Sequence, residues 1–229
     1  MSALEQGTAQ RLRALFGHLD GKDLLEALIH GELRGRIAVT SSFGAESAVL
    51  LDLVAAVDPA TPVIFLDTGE LFDETLAYRY QIERRLGLTN IMVVRPTEAE
   101  LAEAEDLWRD DVDRCCELRK VAPLKAALEG HSAWLSSVKR VDGPTRTTMP
   151  IVMWDEKFGL VKVNPLATWT DEDVAYYLQS QGLPGHPLWA EGYASIGCAP
   201  MTVKPLVPGD RRSGRLVGLD KAECGLHES

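Results

Sequence analysis

No stretch of the chain approaches the roughly 20 consecutive apolar residues that a membrane-spanning helix needs, and none is expected to cross a bilayer. The opening MSALEQGTAQRLRALF has neither the apolar core nor the small-residue cleavage site of a secretory signal, so the expectation is a cytoplasmic protein. Positive charge is in deficit. Lys and Arg number 24 against 34 Asp and Glu, a formal net charge of −10. A protein so acidic is a poor general binder of polyanions, which excludes nucleic acid as an expected partner. A small anionic ligand would need a local cluster of cations and helix N-termini. Aromatic residues are few, at 7%. There are four cysteines, Cys115, Cys116, Cys198 and Cys224, and in a cytosolic chain such a set points to metal binding or catalysis more than to structural disulfides. Two phosphate loops are also missing. GxxxxGK[ST] does not occur, nor does the SGGxDS of ATP pyrophosphatases, which argues against nucleotide triphosphate hydrolysis.

What is present is a chain of 229 residues with 45% hydrophobic content, enough for one globular α/β domain with a real core. Leu12, Leu15, Phe16, Leu19, Leu24, Leu25 and Leu28 recur at helical spacing near the N-terminus, so residues 1–35 read as a helical segment. Short apolar strands are predicted at 36–40, 61–68, 91–94 and 132–138. The intervening stretches read as helices: AVLLDLVAAV, residues 72–86, and residues 97–129 with a break near Trp108–Asp113. This alternation predicts a Rossmann-like parallel sheet with helices on both faces, with ligands beyond the C-terminal strand ends. IVMWDEKFGLVKVNPL predicts a hairpin around Lys157–Gly159, and Thr170 is a candidate N-cap. The division expected is a nucleotide-binding domain over 1–200 and a flexible, mostly irregular tail over 201–229.

The loop SSFGAES joins the first strand to a helix. Ser41, Ser42 and Ser47 offer hydroxyls, Gly44 permits an unusual backbone angle, and the helix N-terminus offers an anion seat. A serine-rich turn with an N-cap reads equally well from these residues alone. Asp67-Thr68-Gly69 follows the second strand at the same sheet edge, where Asp67 also suits a structural cap.

SSFGAES, FLDTGELF (65–72), CCELRKVAPL (115–124), HPLWAEGYASIGCAP (186–200) and ECGLH (223–227) occur in that order. Together they closely resemble the adenylyl-sulfate and phosphoadenylyl-sulfate reductases of the adenine-nucleotide hydrolase-like superfamily, over roughly residues 36–228. The resemblance implies reduction of adenylyl sulfate to sulfite and AMP. Cys224 would be the nucleophile and His227 would help hold its thiolate. An S-sulfocysteine would form on Cys224 and be released by thioredoxin or glutaredoxin thiols. It implies a substrate seat of Ser41, Ser42, Phe43, Gly44, Ser47, Asp67, Thr68 and Gly69, with Lys139, Arg140, Arg146, Arg212 and Arg215 as cations. It also implies a [4Fe–4S] cluster on Cys115, Cys116 and Cys198. Here the sequence departs from the pattern, because the fourth cluster position is Met201 in CAPM, and thioether is a poor substitute for thiolate.

The Cys115-Cys116 pair favours the unphosphorylated substrate. The alternatives are a phosphoadenylyl-sulfate reductase, a nucleotidyltransferase or ATP pyrophosphatase of the same superfamily, and a non-catalytic iron–sulfur sensor. Whether the chain is a monomer or a homo-oligomer stays open.

Overall fold

The computed structural model describes residues 3–219, 221, 225 and 226. Two helices lead in, α1 (Ala3–Phe16) and α2 (Gly21–Glu26), the latter running on as a π-helical stretch over Ala27–Glu32. Then come β1 (Ile37–Ser41), α3 (Ser47–Val57), β2 (Val63–Leu66), α4 (Asp73–Leu86) and β3 (Ile91–Val94). The helical stretch expected at 97–129 is α5 (Glu98–Glu103), α6 (Leu107–Asp110), α7 (Val112–Cys116), a π-helical link over Glu117–Val121, and α8 (Ala122–Ala127). Strand β4 (Ala133–Leu135), the hairpin strands β5 (Val152–Asp155) and β6 (Leu160–Val163), α9 (Asp171–Ser180) and a short α10 (Pro187–Ala190) complete the order.

Six strands form one sheet in the order β3-β2-β1-β4-β6-β5. All pairings are parallel except β5 with β6. The expected hairpin is therefore present, and it also extends the sheet, because β6 pairs in parallel with β4. The continuous apolar strands explain the parallel centre. Val63, Ile64, Phe65 and Leu66 are all buried, as strands covered on both faces must be. Helix α3 is apolar almost all round and almost wholly buried. At the edge, α1 covers the hairpin and Arg13 Nε donates to the Val152 carbonyl at 2.9 Å.

Local signals set the ends of the helices. Thr97 caps α5 and Thr170 caps α9, each in a reciprocal capping box, with Glu100 and Asp173 respectively. The predicted fourth strand, 132–138, is shorter than expected. Only Ala133–Leu135 are in strand conformation along β4; Ser136 N still donates to Val163 O at 3.0 Å, and Ser136, Ser137 and Val138 line a cavity. The described part of the tail has little regular structure and is tied down. Val203 N donates to Gly214 O at 2.8 Å and Leu216 N to Met201 O at 3.1 Å.

The chain runs β1, β2, β3 in one direction across the sheet and returns to place β4 on the other side of β1. The loops leaving β1 and β4 therefore diverge at their carboxyl ends, the usual ligand crevice of an open α/β sheet.

Candidate active site at the carboxyl edge of the sheet

A cavity of about 400 Å³ opens at that divergence. The loop after β1 forms one wall with Ser41, Ser42, Gly44, Ala45, Glu46 and Ser47, and the loop after β4 forms another with Ser136, Ser137, Asp142 and Arg146. Residues 194–198 and the tail residues Asp210, Arg211, Arg212 and Arg215 close it, and Leu226 reaches its lining from the far end of the chain.

The loop geometry corrects one expectation. The left-handed residue is Phe43, at φ 48°, and not Gly44. Phe43 bears this because its ring is fully buried edge-on to Phe65, at 5.3 Å between centroids, and its amide donates to Ser41 Oγ at 3.1 Å. Gly44 is needed for space instead. A Cβ there would lie 3.2 Å from the Ile196 carbonyl oxygen. The second close approach is at Gly197, where any Cβ would overlap the Arg215 guanidinium. Arg215 also donates from Nη1 to Ser195 Oγ at 3.3 Å.

Three of the cations are held by carboxylates. Lys139 is 1% exposed and stands behind the lining, ion-paired with Glu46, Asp142 at 3.2 Å and Asp171 at 3.3 Å. Burial alone would lower its pKa, but the Asp142 and Glu46 carboxylates more than offset this and hold it raised. Arg211 is bound to Glu46 and, at 2.6 Å, to Asp171. Burial opposes its charge, and these two carboxylates again outweigh it, so its pKa is raised. Arg146 pairs with Asp142 at 3.1 Å. The carboxylates of Glu46, Asp142 and Asp171 lie within 4.8 Å of one another, and these three cations are what they hold.

Some expected residues do not reach the cavity lining. Arg140 turns away and donates from Nε to the Met149 carbonyl at 2.9 Å. Asp67 takes the cap role, accepting from Gly69 N at 3.1 Å and pairing with Arg95 at 3.1 Å. Gly69 lies against Leu101 and Arg119. Thr68 does line the cavity. Cys224 and His227 lie outside the described residues.

Beside this cavity lies a second, smaller one, lined by Cys115, Cys116, Cys198 and Met201 with Glu70, Trp108, Arg119, Lys120 and Pro200. All three thiols are buried and free of disulfides. Burial, together with Cys116 and Cys198, pushes the Cys115 thiol up, and Arg119 and Lys120 oppose the shift. Arg119 is 4% exposed. Its Nη1 donates to the Thr68 carbonyl at 2.7 Å and its Nη2 to the Ala104 carbonyl at 3.1 Å, while its Nε is buried with no partner. Three convergent thiols with an orphaned donor beside them suit a soft, anionic metal–sulfur group.

Residues 36–204 match the model of the phosphoadenosine phosphosulfate reductase domain. The chain belongs to that family. Among its relatives, an adenosine 5'-phosphosulfate reductase of Chelativorans sp. is 46% identical over 225 residues, covering 96% of this chain and 90% of that one. One of Mycobacterium bovis is 52% identical over 186 residues, covering 80% and 73%. The crystal structure of phosphoadenylyl-sulfate reductase from Candida auris superposes with a TM-score of 0.73 at 25% identity, covering 86% of this chain and 97% of that one. The FMN adenylyltransferase of Candida glabrata shares the fold, with a TM-score of 0.57 at 15% identity over 87% and 67%.

In this reductase-domain chain the sequence reading missed several lining groups. Lys120, inside the CCELRK run, lines both cavities, and Arg211 is the first arginine of RRSGR. Lys120 sat inside a motif already singled out, and Arg211 directly precedes the expected cation Arg212. Asp142 and Asp171 gave no signal, because ordinary surface carboxylates look the same in a sequence.

Proposed function

We propose that this chain reduces adenylyl sulfate to sulfite and AMP. The observation that carries the reading is the charge of the cavity. Among the described residues its lining holds Lys120, Arg146, Arg211, Arg212 and Arg215 against Glu46, Asp142, Asp171 and Asp210, a surplus of one cation, to which buried Lys139 adds a second. Adenylyl sulfate is a dianion and suits this surplus. The 3'-phosphorylated nucleotide carries two further charges and would lack counter-ions for them in this lining. The relatives named adenosine 5'-phosphosulfate reductase support the same choice.

In this reading the Ser41–Ser47 loop and the N-terminus of α3 seat the sulfate–phosphate portion, and Arg146, Arg212 and Arg215 neutralise it. The Cys224 thiolate attacks the sulfuryl sulfur. The bond from that sulfur to the bridging oxygen breaks, and AMP leaves with the electron pair. Cys224 then carries an S-sulfonate. A thiol of thioredoxin or glutaredoxin attacks Cys224 Sγ and expels sulfite, and the donor's second thiol releases Cys224, so the donor dithiol ends as a disulfide. His227 stabilises the attacking thiolate. Leu226, two residues beyond the nucleophile, lining the cavity supports the tail's entry. Cys115, Cys116 and Cys198 would hold a [4Fe–4S] cluster, which when bound would supply a fixed charge beside the substrate cavity, with Lys120 lining both cavities. The test is a sulfite assay with each nucleotide and a thioredoxin-type reductant. The expected result is turnover with a clear preference for adenylyl sulfate, and no sulfite from either would overturn the proposal.

A further inference from the structure

Met201 leaves the cysteine cavity one anionic ligand short, yet the cavity does contain one carboxylate, that of Glu70. We propose that Glu70 is the fourth protein ligand of this site, binding iron through a carboxylate oxygen where Met201 offers only a thioether. This rests on the cluster reading above.

Four observations place it there. The loop bearing Glu70 is stitched to the loop bearing Cys198. Ala199 N donates to Glu70 O at 2.7 Å, and Leu71 and Cys198 form an isolated antiparallel bridge. Thr68 Oγ1 lies 3.5 Å from Cys198 Sγ, so the two loops also meet through side chains at the thiol itself. Glu70 Oε1 pairs with Arg119 Nη2 at 3.2 Å, which holds the carboxylate in the cavity lining. Finally, Arg119 presents a buried Nε without an acceptor in the same cavity wall.

The chemistry favours oxygen over thioether. Iron at the ferrous and ferric levels prefers an anionic oxygen to a neutral thioether. Three thiolates and a carboxylate carry the same charge as four thiolates, so the oxidised cluster with its ligands would be a dianion. Arg119 and Lys120, both buried in the lining, match that charge, whereas ligation by Met201 would leave a monoanion between two cations. Ligation involves no net redox step. Glu70 enters as the carboxylate it already is, and its ion pair with Arg119 becomes a contact outside the ligand set.

The experiment uses the full chain made without oxygen, as wild type, Glu70→Gln and Met201→Leu, with iron and sulfide counts, iron-57 Mössbauer spectra and the decay of charge-transfer absorbance in air. In wild type one iron of the cluster should be spectroscopically distinct from the other three. Glu70→Gln should shift the signal of that one iron or release it from the cluster, and speed decay about tenfold or more, the scale on which ligand changes act, and Met201→Leu should match wild type. A Glu70→Gln protein with wild-type spectrum and decay, or a Met201→Leu protein showing the loss instead, overturns the assignment while leaving the cluster in place. Wild-type protein without iron removes the cluster and the assignment together. A readout independent of any variant is electron–nuclear double resonance on reduced wild type labelled with carbon-13 glutamate. A carboxylate carbon coupled to the cluster supports the proposal, and no coupling overturns it.

Discussion

Lys139 Nζ is ion-paired with Glu46 while its own backbone amide donates to Asp142 Oδ2 at 2.8 Å. A single residue thus ties the loop after β1 to the loop after β4. The pair uses up a cation that the sequence alone would assign to substrate. Lys139→Met would leave Glu46, Asp142 and Asp171 partly uncompensated beside the substrate's own anions. The expected outcome is a rise in KM of at least about tenfold with a smaller change in kcat, because an unpaired buried charge costs several kcal/mol. Steady-state kinetics check it, and an unchanged KM would show that the network does not shape the site.

Arg146 and Arg140 should separate. Arg146 lines the cavity and Arg140 is spent on the Met149 carbonyl. Arg146→Ala is expected to weaken nucleotide binding by about 1–3 kcal/mol, the size of a lost charged hydrogen bond. Arg140→Ala should bind nucleotide nearly as wild type while lowering stability. Calorimetric titration with adenylyl sulfate distinguishes them, and equal losses of affinity would return Arg140 to the substrate site.

Cys224→Ser should abolish sulfite formation and leave nucleotide binding intact. Mass spectrometry of wild type mixed with substrate and no reductant should find a sulfonate on the peptide bearing Cys224. The same adduct on Cys115, Cys116 or Cys198 would move the nucleophile.

A fourth prediction concerns pH. Burial holds His186 neutral and lowers its pKa from 6.5 to about 4, with Glu74 opposing the shift weakly. Its ring caps α10 by accepting from Leu188 N at 3.2 Å, and Nε2 lies 3.0 Å from Thr75 Oγ1. The unfolded chain therefore binds a proton here that the folded chain does not, between these two values. Stability from this residue is complete above pH 6.5 and is lost as pH falls toward 4, by at most about 3 kcal/mol. Urea midpoints of wild type and His186→Asn should diverge in slope across that range. Parallel slopes would assign the acid sensitivity to other groups.

The fold was readable because its signals are local. The runs VIFL and IMVV, the apolar AVLLDLVAAV and the caps Thr97 and Thr170 each specify an element without help from the rest of the chain. The site was readable only where a motif marks it. Ser41, Ser42 and Arg146 line one cavity, and the three cysteines line the smaller one beside it. Arg140 could not be told from Arg146 by sequence, because the difference is which way two 3-10 turns, Arg140–Asp142 and Pro144–Arg146, point their side chains. Glu70 was hidden for a related reason. Its role depends on a loop pairing with Cys198, a residue more than a hundred positions away.

That pairing gives the last prediction. Met201 is 9% exposed and shares the cavity with the three thiols. Met201→Cys would restore a fourth thiolate, and soft thiolate holds an iron–sulfur cluster better than either thioether or carboxylate. The variant should therefore lose its visible absorbance in air more slowly than wild type. If Glu70 is the ligand that the new thiolate displaces, adding Glu70→Gln to Met201→Cys should no longer change the decay, although Glu70→Gln alone accelerates it. The two substitutions are then strongly non-additive, as expected for residues competing for one coordination position. Decay rates of the four proteins, compared as a double-mutant cycle under identical oxygen, decide the matter. Additive effects would mean that Glu70 and position 201 act on the cluster independently, and that no exchange of ligand takes place between them.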